Sequence, residues 1–165
     1  MAIIGSGDIA KALNDREGFI FFAAGVSNSS EKNEAEYERE RGRLFDTIQT
    51  ANQSNVTLVY FGSISRFHSM TRYTIHKYEM EQLIRTYCNN YTVIRIGNIS
   101  WGTNPNTFIN FIRNKKAAGQ FVQVKDEWKY MIDKDELRFV TDNLPRIGKN
   151  EISVFGQMKK VKDCL

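Results

Sequence analysis

Tyr73 and Lys77 stand four residues apart, a spacing that puts both side chains on one face of a helix. An ammonium beside a phenol stabilises the phenolate, which brings a tyrosine down from its ordinary pKa of ~10 toward the range of a general acid and base. Ser63 ends an apolar run ten residues earlier, where a hydroxyl could polarise a carbonyl or an alcohol. Near the start, Gly5-Ser6-Gly7-Asp8-Ile9-Ala10 fits G-x-G-x-x-A at the end of a short apolar run. Glycines in such a turn let backbone amides approach a pyrophosphate, and the helix N-terminus favours its charge. Each motif has a plainer alternative: a turn that needs glycine for its geometry, and a partly buried tyrosine beside a solvated lysine. No acidic residue follows a second strand some 20 residues on, where a dinucleotide fold grips the adenosine ribose.

These groups need elements to hold them. Ala2-Ile3-Ile4 predicts a strand, Asp8 to about Asn14 a short helix, and Phe19 to Gly25 a strand buried on both faces. After a polar loop, residues 34–51 predict a long helix with Tyr37, Leu44, Phe45, Ile48 and Ala51 inward. The run Glu38 to Arg43 reads as its solvated face, from which Arg39 or Arg41 could meet a phosphate. A third strand covers Val56 to Phe61, and Ser69 or Thr71 caps a helix reaching about Asn89, with Tyr73, Lys77, Met80, Ile84 and Tyr87 in one stripe. Thr92 to Ile96 is a fourth strand. A helix over Thr107 to Lys116, short strands at Phe121 to Val124 and Glu151 to Phe155, and a helix over Asp133 to Asn143 follow. Strands alternating with single helices predict an α/β fold: one Rossmann-like, doubly wound domain over 1–165 with a mostly parallel sheet and ligands beyond its carboxyl ends.

Composition excludes several classes. Of 165 residues, 41% are hydrophobic and 25% charged, so disordered, collagen-like and disulfide-scaffold chains drop out. Cys88 and Cys164, with His68 and His76, show no metal-ligand spacing. No run approaches the ~18 apolar residues of a membrane span and no signal-peptide pattern opens the chain, so a soluble, cytoplasmic protein is expected. The net charge of +4 lies wholly in residues 101–165, and Lys159, Lys160 and Lys162 read as a solvated basic tail over 157–165. This charge permits a polyanionic partner without favouring nucleic acid. Trp101 and Trp128 read as packing residues.

The wording of the sequence adds to its spacing. Tyr73-Thr74-Ile75-His76-Lys77-Tyr78-Glu79-Met80 resembles the catalytic helix of extended short-chain dehydrogenases/reductases, the NAD-dependent epimerase/dehydratase family. In the same order, Phe21-Phe22-Ala23-Ala24-Gly25 is similar to the strand that passes under the cofactor, and Leu58 to Ser63 to the strand that delivers the serine. Val93-Ile94-Arg95-Ile96-Gly97-Asn98-Ile99-Ser100-Trp101-Gly102 resembles the Arg-x-x-Asn segment, and Tyr130 to Leu137 the late strand-to-helix junction with Glu136 in place of aspartate.

The resemblance implies Tyr73 as acid/base, Lys77 on the nicotinamide ribose and Ser63 orienting the reacting oxygen. It also implies NAD or NADP held by Gly5, Ser6, Gly7, Asp8, Ile9, Ala23, Ala24 and Gly25, and a nucleotide-sugar or sugar-phosphate substrate near Ser65 and Asn98. Helices 34–51 and 72–89 would pair across a two-fold as a homodimer. The family's second and third strands have no counterpart, because only a few residues separate Ala10 from Phe19. The relatives' C-terminal substrate region has none either. A binding or assembly protein that no longer holds a full dinucleotide is therefore the alternative.

Overall fold

The apolar runs fold into a parallel sheet whose central strands, Phe19–Phe22, Thr57–Ser63 and Tyr91–Ile96, are covered on both faces. A computed structural model of the protein describes residues 3–123 and 128–165. In chain order come β1 (Ile3–Ile4), α1 (Asp8–Ala12), β2 (Phe19–Phe22), α2 (Glu34–Ser54), β3 (Thr57–Ser63), α3 (Arg72–Tyr87) and β4 (Tyr91–Ile96). Then follow β5 (Asn98–Ile99), α4 (Phe108–Ala117), β6 (Trp128–Ile132), α5 (Lys134–Asp142), β7 (Lys149–Val154) and β8 (Gln157–Lys160). The main sheet runs β1-β2-β3-β4-β7 with every pairing parallel, and β5-β6-β8 form a smaller sheet.

The period-two alternation divides the core. Ile20, Phe22, Leu58, Tyr60 and Val93 pack with Leu44 and Ile48 of α2 and Met80 and Ile84 of α3. Phe19, Phe21, Val59, Phe61 and Ile94 pack with Ala12, Leu13 and Leu137 on the other face. The fold is thus the α/β, Rossmann-like, mostly parallel arrangement the alternation predicts, and β1 is an edge strand of the main sheet.

Local signals set the helix ends. Asn33 caps α2 by accepting from the Ala35 N–H, and Asn55 ends it in the left-handed region at φ 52°. Thr71, one of the two expected caps, forms a capping box with Thr74 at the start of α3. Asp133 and Glu136 do the same for α5, which gives the glutamate at that position a structural use.

Several expectations fail. Phe121 to Gln123 form no strand, and Val124 lies outside the described residues. The basic tail is ordered instead: Gln157–Lys160 form β8 against β6, and Lys160 lies 5.1 Å from the Trp128 ring. That pairing shelters neither Trp128 nor Met158, which stay about half exposed. Phe45, expected inside, is exposed and meets the exposed Tyr87 edge-on at 5.7 Å. Glu40, expected on the solvated face of α2, is completely buried. Among the described residues no helix is long and apolar enough to cross a membrane, and no group of three or more side chains could hold a metal ion.

Candidate active site

Parallel strands that end at the same level leave their following loops to form a cleft at the carboxyl edge. Here the ends of β1, β2, β3 and β4 open onto one cleft of about 900 Å³, lined by every serine, tyrosine, lysine, asparagine and cofactor-turn residue singled out from the sequence for the site and by Arg39, whereas Arg41 faces α3 instead. Neighbouring strands lie about 5 Å apart, so the glycine turn after β1 and Ser63 at the end of β3 are separated by about 10 Å. The cleft therefore brings a turn suited to phosphate and a hydroxyl-rich site suited to proton transfer within one small molecule's reach.

The turn fits closely at one glycine and is open at another. Gly5 has φ +127°, and a Cβ there would lie 2.4 Å from the Ala23 carbonyl oxygen. Only glycine permits that approach of the turn to β2. Gly7 has nothing within 4 Å of the corresponding point, so its backbone is accessible from the cleft. Asp8 follows, but its carboxylate is spent on protein: it accepts from the N–H groups of Thr103 and Asn104 at 3.2 and 2.9 Å. The Asp8 carbonyl accepts from Trp101 Nε1 at 3.1 Å. Asn104 Nδ2 then donates to Ser27 Oγ at 3.0 Å, joining the loop after β5 to the loop after β2.

Ser63 Oγ accepts from the Ser65 N–H at 3.2 Å, which fixes the hydroxyl oxygen and leaves its proton available to donate. Tyr73 is half-buried in the first turn of α3 and faces the same cleft. Asn98 also lines it, with its Nδ2 donating to the Tyr130 carbonyl at 3.2 Å.

Lys77 departs from the expected pairing. Its Nζ lies 5.6 Å from the centre of the Tyr73 ring, but its hydrogen bonds go elsewhere, to Glu40 Oε1 at 3.0 Å and the Tyr60 hydroxyl at 3.3 Å. Glu40 also accepts from the Val26 N–H, the Tyr60 hydroxyl and His76 Nε2 at 2.7, 2.8 and 3.0 Å. A buried carboxylate with these partners is satisfied, as a charge removed from water must be. Burial alone would raise its pKa, but the Lys77 charge, the His76 contact and the Val26 N–H outweigh it and hold Glu40 well below the ordinary carboxylate value. Burial likewise opposes the charge on Lys77, and the Glu40 carboxylate overcomes it, raising the lysine above its ordinary value. Gly25 makes room for the pair: a Cβ there would lie 2.6 Å from Lys77 Nζ and 2.8 Å from Glu40 Oε1.

Glu40 is the site residue that the sequence reading misses. The signal is the spacing of Tyr37, Glu40, Leu44, Ile48 and Ala51, all buried, which puts the glutamate on the apolar stripe of α2. A second buried network, in which Glu81 accepts from Arg66, Arg85 and Arg95, joins α3 to β4 behind the cleft.

No protein-family model and no curated protein sequence matches the chain. Solved structures do resemble it in fold. The enzyme WbmG of Bordetella bronchiseptica, in complex with NAD, superposes with a TM-score of 0.64 at 15% identity over 87% of this chain and 52% of its own. The Helicobacter pylori ADP-L-glycero-D-manno-heptose-6-epimerase gives 0.62 at 12% identity, over 89% and 56%. A UDP-galactose 4-epimerase gives 0.65 at 16% identity, over 90% and 60%. The chain spans little more than half the length of these structures, and the likeness is one of fold.

Proposed function

We propose that the cleft is the active site of a nicotinamide-dependent oxidoreductase, epimerase or dehydratase acting on a nucleotide-activated or phosphorylated sugar. The observation that carries this is the opening of Ser63, Tyr73 and Lys77 into the cleft that also contains the glycine turn. The residues present fit the phosphate portion of NAD or NADP at Gly7, whose bare backbone has nothing within 4 Å of the point a Cβ would occupy, and the nicotinamide portion at the Ser63 and Tyr73 side chains that line the same cleft. The backbone of Gly5 to Ile9 would hold the phosphates, Ala23, Ala24 and Gly25 would pack along the cofactor, and Lys77 would hold its ribose. When bound, the cofactor supplies hydride exchange.

The remaining work belongs to this chain's own groups. Tyr73 takes the proton of a sugar hydroxyl as a phenolate while that carbon is oxidised, and returns it as the phenol on reduction. Ser63 donates its free proton to the same oxygen and orients it. Ser65 and Asn98 would meet the substrate. Because Glu40 already neutralises Lys77, the lysine serves Tyr73 more through position than through unopposed charge.

That same neutralisation favours a second reading, a binding or assembly protein that no longer holds the dinucleotide. Calorimetric titration with NAD(H), NADP(H) and nicotinamide mononucleotide separates the two. Binding that is lost in Lys77→Met supports the enzyme, and binding of none of them leaves the second reading.

We also infer a homodimer through α2 and α3, whose outer faces form a shallow groove lined by Arg41, Tyr78, Glu79, Leu83 and Tyr87 beside the exposed Phe45. Sedimentation as a monomer at micromolar concentration would overturn it.

A further inference from the structure

We propose that Arg39 and Arg43 form an anion subsite at the far end of the cleft, taking a phosphate on the adenylate side of a nucleotide ligand. The inference rests on the cleft being a nucleotide site and adds the chemistry that replaces its missing wall.

One flank of α2 is fixed against α3 by the Glu40 contacts and by Arg41, whose Nη2 meets Glu79 Oε2 at 3.3 Å. A helix turns about 100° per residue, so positions two before and two after Arg41 lie on nearly the opposite flank. Arg39 and Arg43 occupy those positions, four apart and on one face, and both line the cleft that contains the glycine turn. Since α2 packs over β2 and β3 with α3 on one side, its other flank overhangs β1, the edge of the sheet.

The charges facing this end leave a cationic surplus. Asp8 directs its carboxylate to the Thr103 and Asn104 N–H groups, and Lys77 is neutralised by Glu40. Arg39 pairs with Glu36 at 2.9 Å in a solvated i,i+3 contact, which exchanges readily for a phosphate. Among the described residues the Arg43 guanidinium makes no hydrogen bond or ion pair, although its backbone carbonyl accepts from Thr47. Ser27, Ser29 and Ser30 add hydroxyls on the loop between β2 and α2. Guanidinium forks with adjacent hydroxyls match a phosphate ester. Among the described residues no strand lies beyond β1 to enclose an adenine, so recognition at this end falls on the phosphate and is indifferent to the base.

The test is calorimetry on the full chain with 5′-AMP, 5′-CMP, 2′,5′-ADP, adenosine and NADH, comparing wild type with Arg43→Ala and Arg39→Ala/Arg43→Ala. Both positions are solvent-facing, and matched thermal midpoints check that the variants fold. Expected are similar affinities for 5′-AMP and 5′-CMP, no adenosine binding, and about tenfold weaker 5′-AMP and NADH binding in the double variant, the fold-change of one charge-assisted hydrogen bond. Tighter binding of 2′,5′-ADP than 5′-AMP assigns the contact to a 2′-phosphate, and equal binding assigns it to the 5′-phosphate; either upholds the subsite. Affinities within twofold of wild type in the double variant overturn it, and NADH binding then leaves the cofactor reading standing. Arginine-dependent 5′-AMP binding without any nicotinamide ligand upholds the subsite and sinks the cofactor reading. No nucleotide binding at millimolar concentration overturns both.

Discussion

Glu40 Oε1 and Lys77 Nζ are 3.0 Å apart, both buried, and joined across α2 and α3 directly beneath Gly25. The cleft floor is therefore set by a carboxylate as well as by the lysine. Removing one partner of a buried ion pair strands the other, which costs about 3–5 kcal/mol. Glu40→Gln keeps the shape and some hydrogen bonds, so about 3 kcal/mol and a fall of about 10 °C in thermal midpoint are expected. Differential scanning calorimetry checks this, and a midpoint within 2 °C of wild type would sink the assignment.

Tyr73→Phe separates chemistry from folding. The side chain is half-buried and its hydroxyl makes no hydrogen bond among the described residues, so stability should change by less than about 1 kcal/mol. Turnover with NAD(H) across a panel of nucleotide sugars should fall by about 10²–10⁴-fold, the usual worth of a positioned acid/base. Unchanged turnover in a folded variant would remove Tyr73 from the mechanism.

The glycine turn offers a paired test. Gly5→Ala forces a Cβ at φ +127° to within 2.4 Å of a backbone oxygen, so the protein should lose at least about 2 kcal/mol of stability. Gly7→Ala meets no atom within 4 Å and sits at φ −76°, so its stability cost should stay near 1 kcal/mol or below. Its methyl should nonetheless weaken nucleotide binding. Equal denaturation midpoints for the two variants would contradict the geometry.

Asp8→Ala should release the loop that crosses the turn. Two N–H groups, those of Thr103 and Asn104, lose their acceptor. Hydrogen exchange over residues 102–106 should quicken by at least tenfold, while exchange in β3 and β4 stays slow. Uniform protection in both proteins would contradict the tether.

Two depressed carboxylates give the acid limit its sign. Arg85 leads in holding Glu151 down to about 2 from its ordinary 4.5, and Glu40 is also held low. Such groups contribute stability that is complete above the unfolded value and is lost as pH falls through the folded one. Unfolding free energy should therefore decline from about pH 4.5 toward 2. Lys77, raised above its ordinary 10.5, contributes stability that is complete below that value and lost at higher pH. A flat thermal midpoint from pH 5 to 2 would refute the acid arm.

Much of this architecture is written in local pattern. Phe19–Phe22 reads as a strand because burial on both faces leaves an unbroken apolar run. Tyr73 and Lys77 read as a pair because four residues is nearly one turn. Glu40 stays hidden because a buried glutamate inside Glu-Arg-Glu-Arg looks like its solvated neighbours, and only the stripe from Tyr37 to Ala51 distinguishes it. The Asp8 contact with Asn104 joins positions 96 apart, beyond any periodicity. The strand at Gln157–Lys160 escapes because pairing with β6 depends on a partner the lysine-rich segment does not itself specify.

Gly25, Glu40, Tyr60, His76 and Lys77 come from three helix and strand elements and one loop, yet they act as a single mutational unit. Replacing Lys77 with methionine removes the reason for a carboxylate at position 40, so Glu40→Gln should cost less in that background than alone. A double-mutant cycle should yield a coupling of about 1–3 kcal/mol. Substitutions here compensate one another or fail together, and a second side chain at position 25 becomes tolerable only once the charges beneath it are gone.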